Sequence, residues 1–283
     1  RDWSSDVCSS DLRQTKNGRI LVLGNPIPNI LDPVRTAEEM AVIDCISHGR
    51  LEAGFVRGIP YELFASSANP ALTVERLWEG IDLCIKAWTT HDGPFNFEGR
   101  FTQRRAINIW PRPYQQPHPP VWCTGGTDPV HACKVIERGY TYAMFLTPHA
   151  DVRAMFDAAR KHCADKGLPP PRPEQFAYMP LVYVGETESE AMTGAEELTW
   201  FLTGPKSEPQ FANPPGYVPV AINVKALKGQ YGSRTGEIRS RGLEYQIDQG
   251  VLIAGTPNSV VAQIERLYER VGGFGQQIGR AHV

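Results

Sequence analysis

The chain has 283 residues, 41% of them hydrophobic and 21% charged, with 29 Lys and Arg against 31 Asp and Glu. This is the composition of a water-soluble globular protein. Its near-neutral charge argues against nucleic acid or an anionic membrane as partner, and no apolar run approaches membrane-spanning length. No charged-then-apolar leader is present, and the six cysteines form no CxxC or Cys/His zinc spacing, so they read as reduced thiols of a cytoplasmic protein, most of them small core residues.

In chain order, "GRILVLG" (Gly18 to Gly24) is a short apolar run between glycines, the pattern of a buried parallel strand. The helix "DPVRTAEEMAVIDCISHG" follows, with Asp32 as cap, Pro33 in its first turn, Val34, Ala37 and Ala41 on one face and Gly49 as stop. "RLEAGFVRG" is a second strand running into a glycine turn. "TVERLWEGIDLCIKAWT" is a helix with Val74, Leu77, Trp78, Ile81, Ile85 and Trp88 on one stripe. Residues 91–120 form an insertion, with a hairpin at Asn96 to Phe101 and then extended Pro-rich chain.

"PPVWCTGG" is a third strand, and "TDPVHACKVIERG" a helix capped by Thr127 or Asp128. "YTYAMFL" is a fourth strand, followed by a helix from about Pro148 to Lys166, a fifth strand "FAYMPLVYVGE" and a helix "SEAMTGAEELTWFLTG". Residues 206–249 are rich in Pro, Gly and polar residues and read as a lid or mobile insertion. "TPNSVVAQIERLYERVGG" is the last helix. Strands alternating with helices predict a parallel sheet covered on both faces. The regular repeat suggests a (β/α)8 barrel, with a doubly wound open sheet as the alternative. No GxGxxG follows a strand, which counts against a dinucleotide fold.

Two strand-end turns carry candidate chemistry. "GFVRGIP" sets Arg57 at the carboxyl end of a strand, before a glycine that lets backbone approach a ligand. "TGGTDP" leads into a helix N-terminus, where free N–H groups and the helix dipole favour an anion such as phosphate. An anion site would draw on Gly126, Thr127 and Val130, with Arg57 and Arg76 as cations. The plainer readings are a structural ion pair for Arg57 and a tight strand-to-helix connection for the glycines. No GxSxG elbow, readable Ser-His-Asp order or metal-ligand cluster is present, and the histidines read as surface residues.

The motif order resembles the bacterial luciferase-like flavin monooxygenase family. "AEEMAVIDCISHGRL" with "GFVRG", then "ERLWEGIDLCIKAW", "FEGRF", "WPRPYQQPHPPVW", "GGT" and "VGGFG" carry the resemblance, from roughly Arg19 to Gly275. The resemblance implies a (β/α)8 TIM barrel and reduced FMN delivered by a separate NAD(P)H:flavin reductase. It further implies O2 and a small organic substrate as reactants, and a homodimer at full length. It places Arg57 and Arg76 near the flavin phosphate, the latter one residue out of register. Gly126, Thr127 and the Val130 N–H fall at the phosphate turn, and Asn25 in the segment under the isoalloxazine ring. That segment holds a strained non-proline cis peptide in the family. Pro26 changes the local pattern here and makes Asn25–Pro26 the cheap place for a cis bond. The same superfamily uses deazaflavins, so a deazaflavin-dependent oxidoreductase stays open, as does a flavin-binding protein without turnover. Tyr142 and Met144 are candidates for the substrate pocket.

The ends have their own reading. "DWSSDVCSSDL" and "QIGRAHV" match, residue for residue, translations of common sequencing-library adaptors, for example CAG ATC GGA AGA GCA CAC GTC TGA for the second, its first base coming from the insert. Residues 1–12 and 277–283 are accordingly expected to be adaptor-derived, leaving 13–276 as a partial barrel domain. Counting from the resemblance, about two β/α units at the front and the last unit are missing, the family's histidine base or acid with them. The catalytic residue is then unknown, and the chain alone is expected to be inactive with two open sheet edges.

Overall fold

The computed structural model describes residues 12, 14–58, 60–203 and 241–277. The expected adaptor-derived ends, apart from Leu12 and Gln277, and most of the 206–249 insertion lie outside them. The described chain divides into two compact units, the break falling between Trp122 and Cys123.

In the first unit, β1 (Ile20–Asn25) pairs in parallel with β2 (Leu51–Phe55), Ile20 opposite Leu51 and Leu23 opposite Gly54. Between them runs α1 (Pro33–Ile46), capped as expected by Asp32, whose carboxylate accepts from the Val34 N–H at 3.2 Å. Ala37, Met40, Ala41 and Asp44 are its buried face, and the chain leaves it through His48 and Gly49, both at positive φ. Next come α2 (Pro60–Ala65), which the sequence did not suggest, and α3 (Thr73–Thr89). The buried stripe of α3 is Leu77, Trp78, Ile81, Leu83, Cys84, Ala87 and Trp88. Val74, expected on that stripe, is instead 42% exposed. The indole N–H of fully buried Trp88 donates to the Ala37 carbonyl at 2.9 Å and ties α3 to α1.

A hairpin forms here but is wider than the expected Asn96 to Phe101: β3 (Phe95–Glu98) runs antiparallel to β4 (Gln103–Ile107), which lies in what was expected to be extended chain. Glu79 of α3 holds its turn, accepting from the N–H groups of Arg100, Phe101 and Thr102 at 2.7, 2.9 and 2.7 Å. The Pro-rich run is anchored by Gln115, whose backbone and side-chain N–H groups both donate to the buried Asp44 carboxylate at 2.8 Å. Two of its bonds, Trp110–Pro111 and Gln116–Pro117, are cis. The Asn25–Pro26 bond is trans, so the cis linkage considered for it does not form.

The unit boundary falls within β5 (Val121–Gly125). In the second unit, α4 (Pro129–Glu137) follows, capped by Asp128 rather than Thr127. Then come β6 (Thr141–Phe145), α5 (His149–Asp165) and β7 (Phe176–Met179). β6 and β7 are parallel, with Tyr142 opposite Phe176 and Phe145 opposite Met179. The expected fifth strand is two strands, because Pro180 has no N–H to continue the ladder: β8 (Leu181–Val184) leaves β7 and pairs in parallel with β9 (Leu252–Gly255). β9 was missed by the strand count, being a four-residue run directly after the insertion. Helix α6 (Glu188–Thr203) covers this pair, and α7 (Gly242–Asp248) puts a helix at the end of the expected loop. Helix α8 (Pro257–Val271) ends at Gly272, φ 77°. After it, β10 (Gln276–Gln277) pairs in parallel with β7. Every described strand pair outside the β3–β4 hairpin is parallel, the arrangement α/β alternation demands.

The five described cysteines are free thiols, three of them buried. Burial pushes the Cys84 thiol well up and Cys123 up to about 12, so both stay protonated core residues.

Candidate functional site

In parallel α/β folds, ligands gather at the carboxyl ends of strands. Of the six candidate residues, Asn25, Arg57 and Arg76 belong to the first unit, and Gly126, Thr127 and Val130 to the second.

At the end of β1 the ladder to β2 slips between Leu23 and Asn25, and Gly24 adopts φ 141°. Asn25 locks the slipped end: its side-chain amide donates to the Gly54 carbonyl at 2.9 Å, and its own carbonyl accepts from the Val56 N–H at 2.9 Å. A short 3₁₀ turn, Ile27–Asn29, follows. Arg76, on α3, is already committed to this turn. Its Nε donates to the Pro28 carbonyl at 2.9 Å, and its guanidinium lies 5.5 Å from the centre of the Phe101 ring. Arg76 therefore braces the turn.

Arg57 behaves differently. It follows β2, is exposed, and has no ion pair or hydrogen bond to another described residue. Gly58 next to it sits at φ 79°, where a β-carbon would come 2.8 Å from Asn29 Nδ2 and 3.3 Å from Pro26 Cβ. Glycine suits the positive φ there. The Asn29 side-chain oxygen is buried with no donor among the described residues. A buried acceptor left open is costly unless something supplies an N–H or O–H. The turn thus brings together an exposed guanidinium, a buried amide oxygen without a donor and the Glu62 carboxylate, 3.2 Å from where a Gly58 β-carbon would lie. The sequence reading missed Asn29; its polarity in an apolar, Pro-rich segment was the available signal.

In the second unit, Gly125 has no room for a side chain: a β-carbon would lie 2.3 Å from Tyr142 Cε2. The Tyr142 hydroxyl donates to the Gly126 carbonyl at 2.6 Å, and His131 donates through Nε2 to the Thr124 carbonyl at 3.1 Å. His131 is thus buried and structural, against the expectation that the histidines lie on the surface. Gly126 itself faces open space and Thr127 is exposed. The Val130 N–H, expected to face an anion, instead donates to the Asp128 carboxylate at 3.0 Å. Tyr142 and Met144 are fully buried and do not line an open pocket. Two clefts lie in this unit: about 610 Å³ along α4, lined by Val130, Cys133 and His162, and about 310 Å³ between α7 and α8 beside Asp248 and Arg270. Neither touches Gly126 or Thr127. Among the described residues no His, Cys, Asp and Glu group is arranged to hold a metal ion.

Comparison with known proteins bears on this arrangement. The profile of the luciferase-like monooxygenases matches residues 12–273. The oxygenase component of a flavin-dependent trigonelline monooxygenase from Acinetobacter baylyi is 27% identical over 241 residues, 77% of this chain and 64% of the relative. The chain thus spans about two thirds of that relative's length. Among solved structures, the oxygenating constituent of 3,6-diketocamphane monooxygenase from Pseudomonas putida, in complex with FMN, superposes with a TM-score of 0.74 at 17% identity, covering 99% of this chain and 77% of that one. An F420-dependent secondary alcohol dehydrogenase superposes at 0.72 with 14% identity, over 99% of this chain and 78% of that one. At these identities the structural likeness speaks to the fold.

Proposed function

The chain belongs to the luciferase-like monooxygenase family, and on that premise we propose that it is the oxygenase part of a two-component, FMN-dependent monooxygenase. Reduced FMN comes from a separate flavin reductase, and a small organic substrate is oxidised with O2. The observation that carries this reading is the turn after β2: exposed Arg57, the glycine beside it and the open acceptor of Asn29. When bound, the flavin supplies the oxygen-activating chemistry, and the protein binds, orients and shields it. Arg57 takes the phosphate by charge-assisted hydrogen bonds. Asn29 accepts from a hydroxyl of the arm. Arg76 and Asn25 keep the turn rigid so that these groups are in place beforehand. In the second unit the candidate phosphate turn narrows to Gly126 and Thr127. The strands are read as part of a (β/α)8 barrel whose first units lie outside the chain. By the relative's name, trigonelline is the first substrate to try.

The test is reconstitution of this chain and of a full-length family member built on it, with FMN, a flavin reductase and NADH. The reading expects FMN binding in the micromolar range and, for the full-length protein, oxygen uptake that rises with substrate. Absence of FMN binding to both would sink it. A deazaflavin cofactor is the second reading, favoured by the likeness to the F420-dependent dehydrogenase. Binding of the deazaflavin with indifference to FMN would select it.

A further inference from the structure

We propose that Phe145 is a substrate-contacting residue, one wall of the organic-substrate site, and that it selects substrates presenting a flat aromatic face. The inference rests on the monooxygenase reading and names the substrate class for it.

Successive residues of a strand face opposite sides. On β6, Tyr142 and Met144 share one side and are fully buried, Tyr142 edge-on to His131 of α4. Phe145 is on the other side, beside its register partner Met179 on β7, at the carboxyl end of the strand. Met179 is 5% exposed, whereas Phe145 is 47% exposed. A single exposed apolar residue is ordinary on a protein surface. Three further observations set this one apart.

First, the next residue, Leu146, is in the left-handed region at φ 48°, an unfavourable conformation for a bulky non-glycine side chain. Second, the surrounding structure enforces it. The Leu146 N–H donates to the Met179 carbonyl at 3.2 Å, and the side chain packs on the cluster formed by Leu181, Ala195, Val251, Leu252 and Ala254. The Thr147 hydroxyl donates back to the Phe145 carbonyl at 2.9 Å, and the Tyr178 hydroxyl clamps the Thr147 carbonyl at 2.9 Å. Third, the place is a strand's carboxyl end, where this fold class binds ligands. The strained turn sets the Leu146 side chain on that cluster and fixes the backbone from which the uncovered Phe145 side chain projects, so an apolar face is presented at such an end. The side chains that share its surroundings, Met179 and Leu146, are likewise apolar, which favours a ring stacked or set edge-on over a polar chain.

The test uses the whole chain, loaded with FMN, and two matched probes, benzoate (flat) and cyclohexanecarboxylate (puckered). Saturation-transfer NMR reports probe contact, and flavin fluorescence reports FMN binding on the same samples. The expected result is a benzoate signal on the unchanged protein, three- to tenfold weaker binding in Phe145→Ala, recovery in Phe145→Trp, and little dependence of cyclohexanecarboxylate on residue 145. An exposed side chain allows these variants to fold, and thermal unfolding checks that they do. Leu146→Gly, which suits the φ of that position but gives up the packing of the Leu146 side chain, is the second variant: it should melt somewhat lower, stay folded, and bind benzoate more weakly, because the backbone carrying the ring is freed. Equal benzoate binding in the unchanged protein and Phe145→Ala overturns the inference. So does a benzoate signal on neither, or an equal loss of FMN in Phe145→Ala, which would make the ring part of the cofactor's bed. Loss of FMN binding in every sample with the benzoate pattern intact would sink the monooxygenase reading and leave the aromatic site standing.

Discussion

The turn after β2 and the turn after β5 look alike in sequence, each a glycine turn at the end of a parallel strand, yet they are finished differently. After β2, Arg57 is exposed and the Asn29 oxygen has no donor, so polar groups are left for something else. After β5, one N–H that might meet an anion, that of Val130, is taken by Asp128, and the turn is tied back on the protein by the Tyr142 hydroxyl, which donates to the Gly126 carbonyl. The lesson is that a glycine before a helix signals a close backbone approach, and only the surrounding side chains decide whether the partner is a ligand or the protein itself. Arg76 makes a related point for arginines, since its Nε is held by the Pro28 carbonyl and its guanidinium lies beside the Phe101 ring, while Arg57 has no such partner among the described residues.

The contrast can be broken experimentally. The largest expected effect is Gly125→Ala. Its β-carbon would meet the buried Tyr142 ring at 2.3 Å, so unfolding by urea should show a loss of about 3 kcal/mol, the upper range for overpacking. A loss below about 1 kcal/mol would mean that Tyr142 is not the reason for the glycine. Next is Arg57→Ala. With its charge-assisted bonds worth roughly 1.5–3 kcal/mol, FMN affinity should fall about ten- to a hundredfold, while urea stability changes by less than about 0.5 kcal/mol. Equal losses of stability and affinity would return Arg57 to a structural role. Arg76→Gln should show the opposite split, with stability moving before affinity.

Smaller again is Asp128→Ala, which removes the cap of α4 and should cost about 1 kcal/mol. It also frees the Val130 N–H and removes a carboxylate beside the turn, so FMN affinity should rise or hold. A fall would show that Asp128 itself assists the ligand. The smallest effect is a pH dependence of stability. Burial, with the Arg270 charge adding to it, holds the His149 pKa below its ordinary 6.5. The folded state therefore disfavours protonation more than the unfolded chain does. This stability is present above pH 6.5 and is lost as the pH falls through the lower folded value. His149→Gln should flatten the stability profile between pH 7 and 5, as followed by urea titration.

Much of the architecture was legible because it is local. The Asp32 cap, the Gly272 stop, the paired strands at Ile20 and Leu51 and the hairpin at residues 95–107 all follow from residue types at fixed spacings. The motif order likewise pointed to the family that the profile match establishes. What failed depended on partners distant in sequence. Pro180 splits one expected strand because β8 finds β9 some seventy residues on. Val74 keeps helical spacing with the core stripe yet has no element against it. Tyr142 and Met144 have the right chemistry for a pocket, and strand alternation turns both inward while Phe145 stays uncovered.

The sequence by itself determined the alternation of strands and helices, the caps and stops, and the kinds of residue at each strand end, since these rest on backbone propensity and on side chains a few positions apart. The tertiary structure decided which of those residues are still available. Whether Arg57 is exposed, Arg76 committed, the Val130 N–H capped and Phe145 uncovered depends on hydrogen bonds and packing between segments far apart in the chain, and no local pattern encodes them.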